Sequence, residues 1–301
     1  MNDATVHEQI KKHFKFRDLP RLIIKSGKAW FAGEPFEKSA VVAYYAILSL
    51  PALIVIIINL VGAIWGREIV QGEILNQISK AVGTQTAETI RMMMLDRGDA
   101  TTSTFTTTVG ISTLLYGATG VFFQIQNVFD KIWDAKPRFK NGLLDTIFGR
   151  FKSFGFILVI GFLLLTSFVV TSALSTFGDN LKRYISADLV EYMYYFDAFI
   201  SLAFIYFLFA AMFKILPNAT ISWRAVRMGA ALTSLLFVGG KYVLALYFAE
   251  MEPGSTYGAA GAIILVMLWV SYSSLILFFG AHFTKVYSEE YIKHQPKQVI
   301  S

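Results

Sequence analysis

The stretch Tyr257–Phe283, YGAAGAIILVMLWVSYSSLILFFGAHF, decides how this chain folds. It contains no Asp, Glu, Lys or Arg, and as a helix it is long enough to cross about 30 Å of hydrocarbon. Its first residues are small, and small side chains let two helix backbones approach closely inside a membrane. We therefore predict a membrane-spanning helix whose opening, with Gly258 and Gly261, packs closely against the helix before it.

The whole chain has the composition of a membrane protein. Of its 301 residues, 55% are hydrophobic and only 16% are charged, against about 25% charged residues in soluble domains. The mean hydropathy is +0.53. Without cysteine the chain has no disulfide and no thiolate ligand, and neither a zinc-protease motif nor a nucleotide-binding P-loop occurs. We expect no cofactor, no metal, no catalytic residue and no ATPase activity.

Apolar segments elsewhere bring the predicted number of spans to six. The spans are expected at about residues 39–65, 106–129, 154–174, 198–216, 228–248 and 257–283. The first domain, residues 1–38, is a tail with an amphipathic helix, and residues 287–301 form a second tail. Residues 66–104 form a helical segment outside the membrane. The prediction is thus an all-α, polytopic protein with its membrane domain at residues 39–286.

The segment from Leu19 to Phe31 alternates apolar residues with Arg21, Lys25 and Lys28. This pattern is typical of an amphipathic helix that lies on an anionic membrane surface. The same pattern is compatible with a helix that packs against the bundle. Both interpretations stay open at this point.

Lysine and arginine are distributed unevenly between the two sides of this arrangement. Twenty of the 27 lie in the N-terminal segment, the loops around 130–152 and 214–227, and the C-terminal tail. Six lie in the opposite loops, and Lys241 lies within a span. Cytosolic loops carry such an excess, so both termini are predicted to be cytosolic. Because topology accounts for the net charge of +6, nucleic-acid binding is not required.

Lys241 is a cation within a predicted span, where insertion costs about 2.5–3.5 kcal/mol. The direction of the chain predicts that Lys241 lies at the depth of Gly261 to Ile264 in the last span. One interpretation is that its long stem carries the ammonium group to the outer headgroups. The other is that it binds an anion in a cavity that faces the small residues of the last span.

Further candidate residues lie in the first two spans and near the predicted inner face. Gln124 and Asn127 are three apart on one helical face, where amides can bridge neighbouring spans. Pro51 removes a backbone hydrogen bond and is expected to kink span one. The predicted gating or packing residues are Tyr44, Tyr45, Pro51, Gly117 and Gly120. The predicted substrate-binding residues are Lys241, Tyr257, Gly258, Gly261, Tyr116, Gln124, Asn127, Arg150 and His282.

Several motifs occur in an order that resembles a known family. They are Ala43–Pro51, Tyr116–Gly120 with Asn127 and Trp133, Pro217 with Trp223-Arg224, Gly240-Lys241, Tyr257–Gly261, Leu268-Trp269 and Gly280–Thr284. Over residues 20–290 the chain resembles the YihY/BrkB family of six-span bacterial inner-membrane proteins, a group once labelled as a ribonuclease. The resemblance implies the bacterial inner membrane and an envelope role that involves transport of lipids or lipopolysaccharide precursors. His282 stands where the family usually has Glu, so a mechanism that depends on that carboxylate does not carry over.

Three classes of function follow from these observations. The favoured one is a protein that binds or translocates an anionic lipid or other amphiphile without an ATPase of its own. The second is a scaffold for envelope assembly that recruits envelope enzymes through residues 66–104. The third is a hydrolase, including a ribonuclease, although the sequence has no metal-ligand cluster or acid/base pair for it. Anionic membrane lipids are the expected partners, with a second copy of the chain or envelope proteins as further candidates and no nucleic acid.

Overall fold

The computed structural model describes residues 14–49, 104–137, 139, 142–160, 187–251 and 261–292, with scattered residues between 66 and 92. For residues 104–115 and most of 187–200 it describes the backbone alone. The helices are α1 (Leu19–Ala32), α2 (residues 35–49), α3 (Thr104–Ile132), α4 (residues 142–160), α5 (Ala187–Ile215), α6 (Trp223–Met251) and α7 (Gly261–Tyr291). Between 66 and 92 the described residues after Gly66 are helical too. The part of the chain that the structure describes is therefore all-helical, without strands.

Among the residues that the structure describes, two helices are long and apolar enough to cross a membrane. They are Trp223–Phe248 within α6, with a mean hydropathy of 1.5, and Ile263–Tyr291 within α7, with 2.2. A shorter apolar helix, Ser201–Ile215, lies in α5. Only about a quarter of the most apolar stretch of each long helix is buried inside the protein, so much apolar surface faces outward. This agrees with a helical membrane protein, while the number of six spans stays a prediction.

The helices extend beyond the spans predicted from hydropathy. The helix α4 begins at residue 142, twelve residues before the predicted start of span three, so the loop expected over 130–152 is much shorter. The helix α5 begins at Ala187, eleven residues before the predicted span four. Helical hydrogen bonds continue through polar residues, whereas hydropathy detects only the apolar part of a helix. Pro51, Tyr257 and Gly258 lie outside the described residues.

The contact between α6 and α7 is built from two glycine–threonine pairs. The helices are antiparallel, and Gly229 of α6 faces Thr284 of α7 while Gly280 of α7 faces Thr233 of α6. Each threonine hydroxyl donates a 2.7 Å hydrogen bond to the carbonyl of the glycine four residues before it. The hydroxyls are thereby satisfied inside their own helices, and the missing glycine side chains let the backbones approach. This seam fixes the register of the two helices.

The helices α3, α5 and α7 share an aromatic core. The ring of Phe129 lies 5.8 Å from that of Phe213 and 6.4 Å from that of Phe278, measured between centroids. All three rings are fully buried. Buried aromatic pairs at these distances contribute about 0.5–1.5 kcal/mol beyond the burial of area. They hold the C-terminal end of α3 against the rest of the bundle.

The N-terminal helix α1 packs on α7. Its apolar side buries Leu22 completely, and the ring of Trp30 meets that of Phe279 at 6.1 Å. Its polar side is fixed by Arg21 and Lys25, whose head groups lie 2.5 and 2.8 Å from the Glu290 carboxylate. Of the two interpretations of this segment, packing against the bundle is therefore realised. The exposed side chains of α1 are also compatible with contact between this helix and a membrane surface.

Two connecting segments meet the C-terminal part of α7 at one end of the molecule, which we name the basic end. Lys285 of α7 bonds Asp134 after α3, and Asn218 after α5 bonds Asp130 of α3. Lys152 of α4 donates to the side chain of Asn218 at 3.0 Å. The basic end thus joins residues 130–137, residues 216–222 and the C-terminal part of α7. All of these were predicted to lie on the cytosolic side.

Candidate functional site

Arg150 lies on α4 and points at the middle of α3. The two helices run antiparallel, and Ala118 of α3 is buried with Ile157 of α4. Gly149 permits the close approach, because a Cβ atom at this position would lie 2.6 Å from Cε2 of Phe123. The next residue, Arg150, is thereby brought directly against the α3 backbone.

The guanidinium group of Arg150 is held by neutral groups. Its Nη1 atom donates to the Tyr116 carbonyl at 2.8 Å and to the Thr119 hydroxyl at 3.3 Å. Its central carbon lies 4.0 Å from the ring centroid of Tyr116 and 4.7 Å from that of Phe123. The Nε atom is buried and has no hydrogen-bond partner among the described residues. In the part of the chain that the structure describes, no carboxylate pairs with this arginine.

The position of Arg150 differs from the predicted one. The sequence predicts it as a cation of the loop around 130–152, but its guanidinium reaches Tyr116, sixteen residues before the end of α3 at Ile132. That separation is about 24 Å along a helix axis. The difference arises because α4 already begins inside the predicted loop, at residue 142, and runs back along α3. The charge therefore lies deep in the region predicted to be hydrocarbon.

Residues from three helices converge on this guanidinium. A Cβ atom at Gly120 would lie 3.5 Å from Cδ1 of Tyr45 and 3.8 Å from Nη1 of Arg150. We call Arg150 with Tyr45, Tyr116, Thr119, Gly120 and Phe123 the Arg150 site. The structure thus joins two residues predicted to bind substrate with two predicted for gating or packing.

Exposed aromatic groups lie beside the Arg150 site. Tyr116 is 66% exposed and Tyr44 is 57% exposed, while Gly117 is half-buried. Sequence reasoning missed Thr119 and Phe123, although they lie three and seven residues after Tyr116. That spacing places them on the same helical face, and it could have identified them.

Gln124 and Asn127 line a separate cavity of about 340 Å³ at the basic end, which we call the α3-end cavity. Its lining residues are Gln124, Asn127, Asp130, Lys131, Ala135, Lys136, Pro137, Asp145 and Asn218. Burial raises the pKa of the Asp130 carboxyl, which lies just beyond the predicted span. The backbone and side-chain N–H groups of Asn218 and the charge of Lys152 act in the opposite direction.

Lys241 does not lie at the depth of Gly261, the small residue at the start of α7 that the structure describes. Its neighbour Gly240 faces Tyr272 and Ile276, so Lys241 lies about two to three turns away from the predicted depth of Gly261–Ile264. The glycine–threonine seam sets this register, and counting from the connecting loop missed it. Lys241 is exposed, and its Nζ lies 5.4 Å from the ring centroid of Tyr242. Gly261 is buried and is not part of the Arg150 site.

His282 lies apart from the Arg150 site as well. It is half-buried, and a Cβ atom at Gly33, between α1 and α2, would lie 3.1 Å from its Nε2 atom. Lys38 donates a hydrogen bond to the carbonyl of the same glycine. Among the residues that the structure describes, no group of three His, Asp or Glu side chains is placed to hold a metal ion.

The fold and the site define a class of protein: a helical membrane protein with a half-buried arginine between two of its helices. The profile of the family described as Virulence factor BrkB matches residues 34–299 of this chain. The chain therefore belongs to the BrkB family, which confirms the resemblance drawn from the motifs. No solved structure matches it.

Curated relatives are named as membrane proteins. A UPF0761 membrane protein of Pseudoalteromonas translucida is 24% identical over 64% of this chain and 61% of its own length. A UPF0761 membrane protein of Pseudomonas aeruginosa is 31% identical over 58% of this chain and 41% of its own length. One from Tolumonas auensis is 29% identical over 61% of this chain and 58% of its own. The chain thus spans between about two fifths and three fifths of the relatives it matches.

Proposed function

We propose that this protein binds the anionic headgroup of a membrane lipid or similar amphiphile at the Arg150 site and translocates it without an ATPase of its own. The observation that supports the proposal is the placement of Arg150 between α3 and α4. Its partners there are a carbonyl, a hydroxyl and two aromatic rings. None of these neutralises its charge, and a ligand anion would do so.

The chemistry of the guanidinium group favours a phosphate or carboxylate as that anion. Arginine stays charged at any relevant pH and presents five N–H donors in a planar fork. The hydrogen bonds made to Tyr116 and Thr119 both come from Nη1, so other donors remain for a ligand. Charge-assisted bonds of this kind are roughly twice as strong as neutral ones. The exposed ring of Tyr116 offers an apolar surface beside the headgroup for an acyl chain.

The same proposal includes the location of the protein. We place it in the bacterial inner membrane with six spans and both termini in the cytosol. The excess of lysine and arginine in the predicted cytosolic segments supports this orientation, and so do the contacts that gather several of these segments at the basic end. The protein is proposed to move or hold its ligand rather than to change its covalent structure.

The test measures lipid affinity of the full chain in detergent by native mass spectrometry, with short-chain phosphatidylglycerol against phosphatidylcholine. Arg150→Gln is expected to weaken phosphatidylglycerol binding by roughly tenfold, about 1.4 kcal/mol, because it removes the charge. Arg150→Lys is expected to keep part of the affinity, since the charge remains but the fork is lost. Arg227→Gln is the control, because this exposed arginine undergoes the same change outside the site.

Equal affinity of Arg150→Gln and the parent protein would refute the proposal. Lys241→Met, measured beside them, tests the other cation within a predicted span. A loss of affinity in Lys241→Met alone would assign headgroup binding to Lys241. Translocation is tested separately, by the rate at which fluorescent phosphatidylglycerol crosses proteoliposome membranes. A rate no higher than in protein-free vesicles would restrict the function to binding.

A further inference from the structure

The α3-end cavity continues the face of α3 that carries the Arg150 site. Asn127 lies seven residues after Gly120, two helical turns or about 10 Å further towards the basic end. Gln124 and Lys131, which lie three residues before and four residues after Asn127, line the cavity with it. One face of α3 thus meets the half-buried Arg150 of α4 at its middle and borders a polar cavity near its end.

The two carboxylates of the cavity are engaged by the protein itself. Asp130 accepts the backbone N–H of Asn218 at 2.6 Å and its side-chain amide at 2.8 Å. Asp145 accepts the backbone N–H of Phe139 at 3.3 Å. These carboxylates are part of the cavity wall, and ligand recognition falls to the cationic and amide side chains.

Those side chains are two lysines and two amides, because the third lining amide, Asn218, is already bonded to Asp130 and Lys152. Lys131 and Lys136 are exposed and form no ion pair within the described part of the chain. The side chains of Gln124 and Asn127 are half-buried, and each carries a donor and an acceptor. Ammonium groups bind phosphate oxygens, and amides bind hydroxyl groups. The nearby carboxylates balance the two lysines, which disfavours a ligand with more than one negative charge.

We propose that the α3-end cavity is a second ligand site, which takes a singly charged phosphodiester bearing hydroxyl groups. The phosphoglycerol headgroup of a lipid and a free glycerophosphodiester share this chemistry. A volume of about 340 Å³ lies within the range of small-molecule sites. The second site does not require ligand binding at Arg150, so the two proposals can fail separately.

The test is calorimetric titration of the full chain in detergent with glycerophosphoglycerol, and then with short-chain phosphatidylglycerol. The double variant Lys131→Gln and Lys136→Gln is expected to lose at least tenfold in affinity for whichever probe binds. Both lysines are exposed, so folding should hold. The double variant Lys28→Gln and Arg227→Gln, which also removes two exposed cations, is the control for net charge.

The amides are tested by Asn127→Leu and by glycerophosphoethanolamine, in which ethanolamine replaces one of the two glycerol groups. We expect each to reduce affinity severalfold, because the variant removes an amide and the second probe carries fewer hydroxyl groups. Binding of the soluble diester assigns the site to a free phosphodiester, and binding of the lipid alone assigns it to a headgroup. Saturable binding of neither probe, or equal affinity in the lysine double variant, would overturn the proposal. Equal affinity for the ethanolamine diester would overturn its hydroxyl selectivity.

Discussion

At the scale of single residues, Gly229 and Gly280 set the distance between two helices. A Cβ atom at Gly229 would overlap the hydroxyl of Thr284, and one at Gly280 would overlap that of Thr233. Both threonines are fully buried. In lipid, where apolar surface gives little drive for helices to associate, such close backbone packing carries much of the stability. A larger residue at either position would therefore prevent the close approach of the two helices.

The first prediction concerns these glycines. Gly229→Ala and Gly280→Ala are each expected to lower the thermal unfolding temperature in detergent, since overpacking a buried contact costs about 1–3 kcal/mol. Gly239→Ala is the matched control, because a Cβ atom at this position of α6 would meet nothing within 4 Å. Gly239→Ala should be at least as stable as the parent protein, because alanine has a higher helix propensity than glycine. Equal behaviour of the three variants would show that the seam does not limit helix approach.

At the scale of elements, α1 is attached to α7 by charge as well as by burial. The Glu290 carboxylate receives both Arg21 and Lys25, and it is only 14% exposed, whereas the two cations are about half exposed. Near the same end of α7, the Tyr291 hydroxyl donates to Asp18 at 2.8 Å. These contacts fix the orientation of α1 on α7. They explain why its basic residues do not all face away from the bundle.

The second prediction concerns Glu290. Glu290→Gln is expected to speed amide hydrogen exchange in α1 severalfold while α6 and the core of α7 stay protected, because both cations lose their partner carboxylate. Glu289→Gln is the control, since Glu289 lies 4.0 Å from Lys285 and does not contact α1. The measurement is hydrogen–deuterium exchange resolved by mass spectrometry. Unchanged exchange in α1 would assign its attachment to Leu22 and Trp30 alone.

At the scale of the whole molecule, the basic end gathers connecting segments that are far apart in sequence. Burial restricts how their sidedness can be tested: Ser26 and Ser288 are 0% and 3% exposed, so a cysteine there would resist labelling from either side. Gly142 is exposed, and a Cβ atom at this position would meet nothing within 4 Å. Lys28 is exposed too. These two positions report on sidedness without that ambiguity.

The third prediction is topological. In this chain without cysteines, Gly142→Cys and Lys28→Cys should react with a membrane-impermeant maleimide only after the cells are permeabilised. Cysteines at Thr84 and Glu250, both exposed, should react in intact cells, because they belong to segments predicted outside the cytosol. Labelling of Gly142→Cys in intact cells would contradict the proposed orientation. Labelling of all four positions would indicate leaky cells and call for a repeat with a cytosolic marker.

The sequence by itself determined the class of this protein. Apolar length, few charges and the uneven lysine and arginine distribution are sums over many residues, so they predict a helical membrane protein without knowledge of any contact. The motif order identified the family, which the family match confirms. The approximate helix positions followed from hydropathy, while their polar extensions did not, because helical hydrogen bonds do not depend on side-chain polarity.

Only the tertiary structure decided which residues meet. Lys241 attracted attention as a lone charge in an apolar run, whereas Arg150 was hidden among the basic residues of a predicted loop. The extension of α4 back along α3 brings Arg150 to Tyr116, and the seam at Gly229 and Gly280 shifts Lys241 away from Gly261. The register between helices depends on the fit of side chains that are distant in sequence. No count along one chain contains that information.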